Sequence, residues 1–186
     1  MMEPIVSASK KHAAALLAAC LLASGSFGSA AAKSASPAVG MPNPMVEYAS
    51  VREASQAAGF TPLYLPEISG YHVSNAFVIS KNLVDIRYTR DGEPGKTLTL
   101  RTAPAKRQQT KDISGIYGVK WLQRNIDDTT VFMAKVPAES KACHDGYAAY
   151  WQQDGMLFSA YAENISEAEF THLLKDGLLD LSRIYF

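Results

Sequence analysis

Cys143, His144 and Asp145 stand side by side and bring together the residue types of a nucleophile, a base and an orienting acid. Nucleophilic catalysis requires the nucleophile and the base to be in hydrogen-bond contact. In an extended segment side chains alternate, so Cys143 and Asp145 share a face that His144 leaves, and these three alone make no working triad. They are better read as a loop leading into a hairpin. Metal chemistry is no better served. His72, His144 and His172 have no C-x-x-C or H-E-x-x-H companions, and Cys143 with His144 supplies two of the usual four ligands. Asp127-Asp128 lacks the ligand spacing of a calcium loop and reads as a turn. The glycines never assemble as G-x-G-x-x-G or as a phosphate loop. Asn164-Ile165-Ser166 matches a glycosylation sequon, but Ser166 is already explained as a helix cap. No catalytic residue, metal ligand set or cofactor is therefore assigned.

The remaining chemical signal is aromatic. Trp121, Tyr147, Tyr150, Trp151, Phe158 and Tyr161 fall on neighbouring expected strands, where they can build either core or the wall of an apolar pocket. A sheet roofed by helices must bury one face, so core is the first reading for the group as a whole. Trp121, Tyr150 and Trp151 are the candidate ligand-binding residues. Lys106-Arg107 with Lys111 is the one basic cluster, and it reads as a solvated loop.

The elements that would position these residues follow from periodicity. Ser50-Val51-Arg52-Glu53 is a capping box, Val51, Ala54 and Ala58 recur at helical spacing, and Gly59 is placed to close the helix. Thr61-Pro62 and Leu65-Pro66 forbid continuation. From Tyr71 to Tyr161 the apolar period becomes two. Val73, Phe77 and Ile79, then Val84, Ile86 and Tyr88, then Leu98 and Leu100 mark three strands, with turns at Lys81-Asn82 and at the cluster from Asp91 to Gly95. Residues 119–124 and 130–136 read as a further pair around residues 125–129, with Gly115 and Gly118 blurring the approach. Asp154-Gly155 is a strong type I′ signal. It sets a register in which Gln153 faces Met156, Trp151 faces Phe158 and Ala149 faces Ala160, with Tyr150 and Ser159 paired on the opposite side. Ser166 and Glu169 form a second capping box before Phe170, Leu173, Leu174, Leu178 and Leu181, and His172 lies beside that stripe. Gly177 is a place where this helix would bend or fray. The expected fold is α+β: a curved antiparallel sheet of six or seven strands with an N-terminal and a C-terminal helix packed on one face.

The chain has 186 residues, 47% hydrophobic and 19% charged, with 18 Lys and Arg against 18 Asp and Glu. Such neutrality gives little long-range pull on phosphate backbones, so a dedicated nucleic-acid binder is excluded. Lys10, Lys11 and His12 precede an apolar run from Ala13 to Ala23 that Ser24-Gly25-Ser26 ends too soon for a membrane span. Residues 1–32 thus read as a signal peptide cut after Ala32. A rival pattern, Leu17-Ala18-Ala19-Cys20, would make Cys20 a lipidation site and give the protein a lipid anchor. Removing the leader leaves Cys143 as the sole cysteine, so packing and not an intramolecular disulfide must stabilise the domain. Residues 33–44, rich in Ser, Ala and Pro, read as a tether, and residues 45–186 as one domain.

Asn43-Pro44, Glu53-Ala54, Gly59-Phe60, Leu65-Pro66 ahead of Gly70-Tyr71, and Trp151 before Asp154-Gly155 with a helix at the C-terminus together resemble the bacterial envelope domains classed as domain of unknown function 4367. The resemblance spans residues 43–186. It implies an exported or outward-facing domain, often joined to a membrane anchor or a cytoplasmic regulatory segment, with no established activity and no catalytic residues to carry over. This sequence departs from that pattern in having no transmembrane helix.

Three functions remain in view. The first is a non-enzymatic, exported module, periplasmic, extracellular or attached to the envelope, that binds a peptide, a protein or an apolar small ligand on a sheet face or edge left open by the helices. The second is an envelope hydrolase using carboxylates and His144. The third is a structural component of an envelope assembly.

Overall fold

The computed structural model describes residues 44–65, 70–138 and 145–186. The leader, the tether up to residue 43, Cys143 and His144 lie outside the described residues. Met45–Tyr48 is β1 and Val51–Ala58 is α1; β2 (Tyr71–Ile79), β3 (Leu83–Arg90) and β4 (Glu93–Pro104) come next. Then come β5 (Leu122–Ile126), β6 (Thr129–Val136), β7 (Gly146–Gln153) and β8 (Met156–Ala162). The C-terminal helix comprises α2 (Glu167–Leu173), a π-helical segment (Leu174–Leu179) and α3 (Asp180–Tyr185).

The fold is α+β on an antiparallel sheet, but the sheet has eight strands instead of six or seven, in the order β1-β2-β3-β4-β8-β7-β6-β5. The additional strand is β1, so a strand and not a helix comes first. Four residues carry too little alternation to announce a strand. What makes them one is pairing with β2, Met45 opposite Ile79 through Tyr48 opposite Ala76. Two meanders, β1 to β4 and β5 to β8, join where β4 pairs with β8, and that places β1 and β5 at the two edges.

Alternation sends one set of side chains to the helices. Ile86, Tyr88, Leu98, Leu100, Phe158, Ala160 and Trp151 form one buried cluster with Ala54 and Ala58 of α1 and with Phe170, Leu174, Leu178 and Leu179 of the C-terminal helix. Both helices therefore cover the same face. Ser50 caps α1 by accepting from the Glu53 N–H at 3.2 Å, and Gly59 closes it at φ 74°, a left-handed conformation that glycine adopts without steric cost. Beyond it Leu63 and Leu65 are buried, their N–H groups donating to Thr102 Oγ1 at 2.9 Å and to the Tyr88 hydroxyl at 3.1 Å.

Both cap residues of the second box engage: Ser166 accepts from the Glu169 N–H, and Glu169 accepts from the Ser166 N–H. At Gly177 the helix neither frays nor stops. It widens to π geometry, and the extra residue per turn rotates the next turn about the helix axis. The buried set accordingly runs Phe170, Leu174, Leu178, Leu179 and Ser182, while Leu181 is only partly covered.

Candidate functional site

The side of the sheet away from the helices is partly crossed by residues 108–121, which have no regular secondary structure. Ile113 anchors this strap by packing with Leu83, Ala103 and Leu157. Local side-chain turns hold its shape, the Ser114 N–H donating to Asp112 Oδ1 at 2.8 Å and the Ile116 N–H to Ser114 Oγ at 3.1 Å. The strap explains why the strand expected at residues 119–124 begins instead at Leu122. Gly115 at φ 70° and Gly118 at φ 74° are turns within it.

Where the strap ends, Trp121 meets Tyr150 edge to face at 4.9 Å between ring centroids, and Tyr150 stacks on Phe132 at 4.8 Å. Register puts Phe132 opposite Tyr150 across β6 and β7, so the stack lies outside the main core. Two of the three candidate residues, Trp121 and Tyr150, thus come together. The third does not join them. Trp151 points to the opposite face, 1% exposed, and its ring stacks on Phe158 in the core at 5.4 Å. The hairpin register expected from Asp154-Gly155 is the one observed, Trp151 opposite Phe158 and Tyr150 opposite Ser159. That register dictates the separation, because neighbours on a strand face opposite ways.

Beside the stack a cleft of about 550 Å³ opens between the tips of two hairpins. One tip is Asp127-Asp128, at φ 43° and 67°; the other is Asp154-Gly155, at φ 46° and 78°. Positive φ at both central residues matches the twist of a tight hairpin. Phe132, Tyr150, Gln152 and Lys111 line the cleft together with these acidic tips and with Trp151, whereas Trp121 adjoins it only through its contact with Tyr150. Arg183 braces it from the C-terminal helix, donating to the Asp127 carbonyl and to Thr129 Oγ1 at 3.0 Å. Burial, and secondarily the Asp112 carboxylate, raises the Tyr150 phenol above its usual pKa.

A second feature escaped the alternation pattern. Asp85 is fully buried and accepts from Arg101 Nε at 2.7 Å and Arg87 Nε at 3.2 Å. Arg101 also donates to the Ser114 carbonyl at 2.7 Å and to that of Ile113 at 3.3 Å, and so ties the strap to β4. Alternation does place Asp85 and Arg87 on one face of β3 and Arg101 on the same face of β4. The readable signal was that opposite charges share a register position, Asp85 against Arg101. What the sequence lacks is any sign of the strap that buries them.

Other candidate groups resolve into structure. His72 Nε2 lies 2.6 Å from Asp91 Oδ2 at an exposed site, and His172 is exposed beside Asp176. Asp145 pairs with Lys135 at 2.5 Å and accepts from the Ala138 N–H. Asn164 donates to the Gly95 carbonyl beside the Ser166 cap. Of the basic cluster, Arg107 is not simply solvated: it donates to the Ala58 carbonyl at 3.0 Å, where α1 ends, and lies over the Phe60 ring. Among the described residues no three His, Cys, Asp or Glu gather as metal ligands, and no helix is long and apolar enough to cross a membrane.

The sequence matches no family model. It likewise matches no curated protein.

Proposed function

We propose that this chain is an exported, non-enzymatic binding module of the bacterial cell envelope that holds a peptide or protein partner against the open side of its sheet, at Trp121 and Tyr150. The observation that carries this reading is the Trp121, Tyr150 and Phe132 stack placed outside the main core and beside the cleft. Aromatic rings on rigid strands offer contact area at small entropic cost, the common property of interface anchors. The acidic tips Asp128 and Asp154 suit a partner whose apolar anchor is flanked by a Lys or Arg. Export is supported by the leader-like residues 1–32 and by the resemblance to the envelope domains of unknown function 4367.

The test is a titration of short extended peptides followed by tryptophan emission. One set carries a central Leu flanked by Lys, and a matched set has Glu in place of Lys. The Lys-flanked peptides are expected to shift the emission saturably, and calorimetry with the same peptides is expected to show weaker binding to Trp121→Ala, whose remaining indole, Trp151, is buried. If neither set gives a saturable response with a Kd tighter than about 1 mM, the proposal fails.

A further inference from the structure

The same side of the sheet carries a second groove, of about 410 Å³, on the β3, β4 and β8 surface flanked by Gly115 of the strap and Ser74 of β2. Arg87 lies in it with 43% of its side chain exposed. Two contacts fix the guanidinium: Nε donates to buried Asp85 at 3.2 Å, and the plane lies over the Phe77 ring at 4.8 Å. Among the described residues its two terminal nitrogens have no hydrogen-bond partner. An arginine held by its inner nitrogen and one face presents a preset two-pronged donor edge. The Thr99 side chain lies directly across the strands from it.

The other charges of the groove are already engaged. Arg101 is held by Asp85 at Nε and by the two strap carbonyls at Nη1. Glu163 accepts from Thr97 on one oxygen, at 2.7 Å, and from the Tyr161 hydroxyl on the other, at 3.1 Å. Asp85 balances one of the two arginines and the Glu163 carboxylate, whose partners are neutral hydroxyls, offsets the other, so the groove is neutral as a whole and Arg87 stands out by its donor edge, two terminal nitrogens with no hydrogen-bond partner among the described residues.

We infer that Arg87 anchors a binding site for one carboxylate group, gripped by its two terminal nitrogens with the Thr99 hydroxyl as a third donor. The site is separate from the aromatic stack and does not depend on the partner proposed there. A carboxylate matches the Arg87 guanidinium edge in charge, in planarity and in its two acceptor oxygens. The volume admits a small organic acid or the last residue of a peptide.

The experiment follows the Nε–Hε NMR signal of Arg87 at constant ionic strength during titration with acetate, glutarate, inorganic phosphate and an amino-blocked trialanine with either a free or an amidated C-terminus. A saturable shift with acetate, glutarate or the free-acid peptide, absent with the amide, supports the site. Glutarate binding more tightly than the peptide marks a small acid as the ligand, and the reverse order marks a chain terminus. Arg87→Lys keeps the charge but not the paired donors and is expected to weaken binding about tenfold, with Thr99→Val weakening it less. Phosphate binding more tightly than every carboxylate, or no saturable shift with any probe, overturns the inference. Undiminished affinity of Arg87→Lys for the same carboxylates, measured by calorimetry because the variant lacks the guanidinium signal, does so too.

Discussion

Trp151 Nε1 donates to Ser182 Oγ at 3.2 Å across the contact between β7 and the C-terminal helix, and Ser182 Oγ donates onward to the Leu179 carbonyl at 2.8 Å. Both residues are buried, so the indole N–H has no access to water if Ser182 is truncated. Ser182→Ala is expected to destabilise the domain by about 1–3 kcal/mol, the usual cost of leaving a buried donor unpaired. Trp151→Phe in that background should cost less than the sum of the two single changes, because the orphaned donor leaves with the ring. Urea denaturation of the two single variants and the double variant measures the coupling.

That bond also marks the limit of what periodicity could show. A regular helix continued from Phe170 brings Leu181, eleven residues on, back to the same face, whereas the wider π segment around Gly177 puts Ser182 there instead, toward Trp151. The hairpin at Asp154-Gly155 was legible residue by residue because a two-residue turn and a buried face both constrain its register. The turn cluster from Asp91 to Gly95 was legible only in part. Asp91-Gly92 is the turn, while residues 93–95 already belong to β4, where Thr89 pairs with Thr97 but Arg90 pairs with Glu93 in a bulged register. The strand β1, the strap and the burial of Asp85 were not legible, because each exists only through contacts distant in sequence. Of the candidate site, Trp121 and Tyr150 could be chosen by type, but their contact depends on the path of the strap.

Asp85 and the strap should stand or fall together. Asp85→Ala removes the acceptor shared by Arg87 and Arg101 and leaves the partly buried Arg101 unbalanced, an expected loss of about 3–5 kcal/mol. Gly115→Ala approaches the same network from above: a β-carbon there would lie 2.3 Å from Arg101 Nη1, on a backbone at φ 70°. The left-handed conformation alone costs a non-glycine residue about 1–2 kcal/mol. Amide hydrogen exchange should show residues 110–116 losing protection in both variants before the α1 amides do.

The start of the C-terminal helix should respond to acid. Hydrogen bonds from the Ser166 backbone and hydroxyl, and then Lys96, hold the Glu169 carboxyl below its usual pKa. A depressed carboxylate pKa stabilises the fold at pH values above the unfolded-state value, and that contribution disappears as the pH falls through the lower folded-state value. Stability should therefore decline with acid over that interval, and Glu169→Gln should flatten that part of the curve while lowering stability at neutral pH. Urea midpoints collected from neutral pH into the acid range provide the comparison. Equal slopes for the two proteins would show that the capping carboxylate contributes no pH dependence.

The two tryptophans should separate stability from binding. Trp151 is packed on Phe158 inside the core, so Trp151→Ala removes a large buried ring and is expected to cost about 3–5 kcal/mol. Trp121 is half-buried, and its clearest contact is the edge of Tyr150, an arrangement worth about 0.5–1.5 kcal/mol beyond its buried area. Trp121→Ala should thus leave a cooperatively folded protein with a modestly lower urea midpoint and with emission from the remaining, buried indole. If Trp121→Ala instead unfolded the domain as severely as Trp151→Ala, the stack would be core by function, and the surface anchor proposed for a partner would not exist. A small stability loss combined with loss of peptide binding in calorimetry, which does not depend on the indole, is the outcome that assigns Trp121 to recognition.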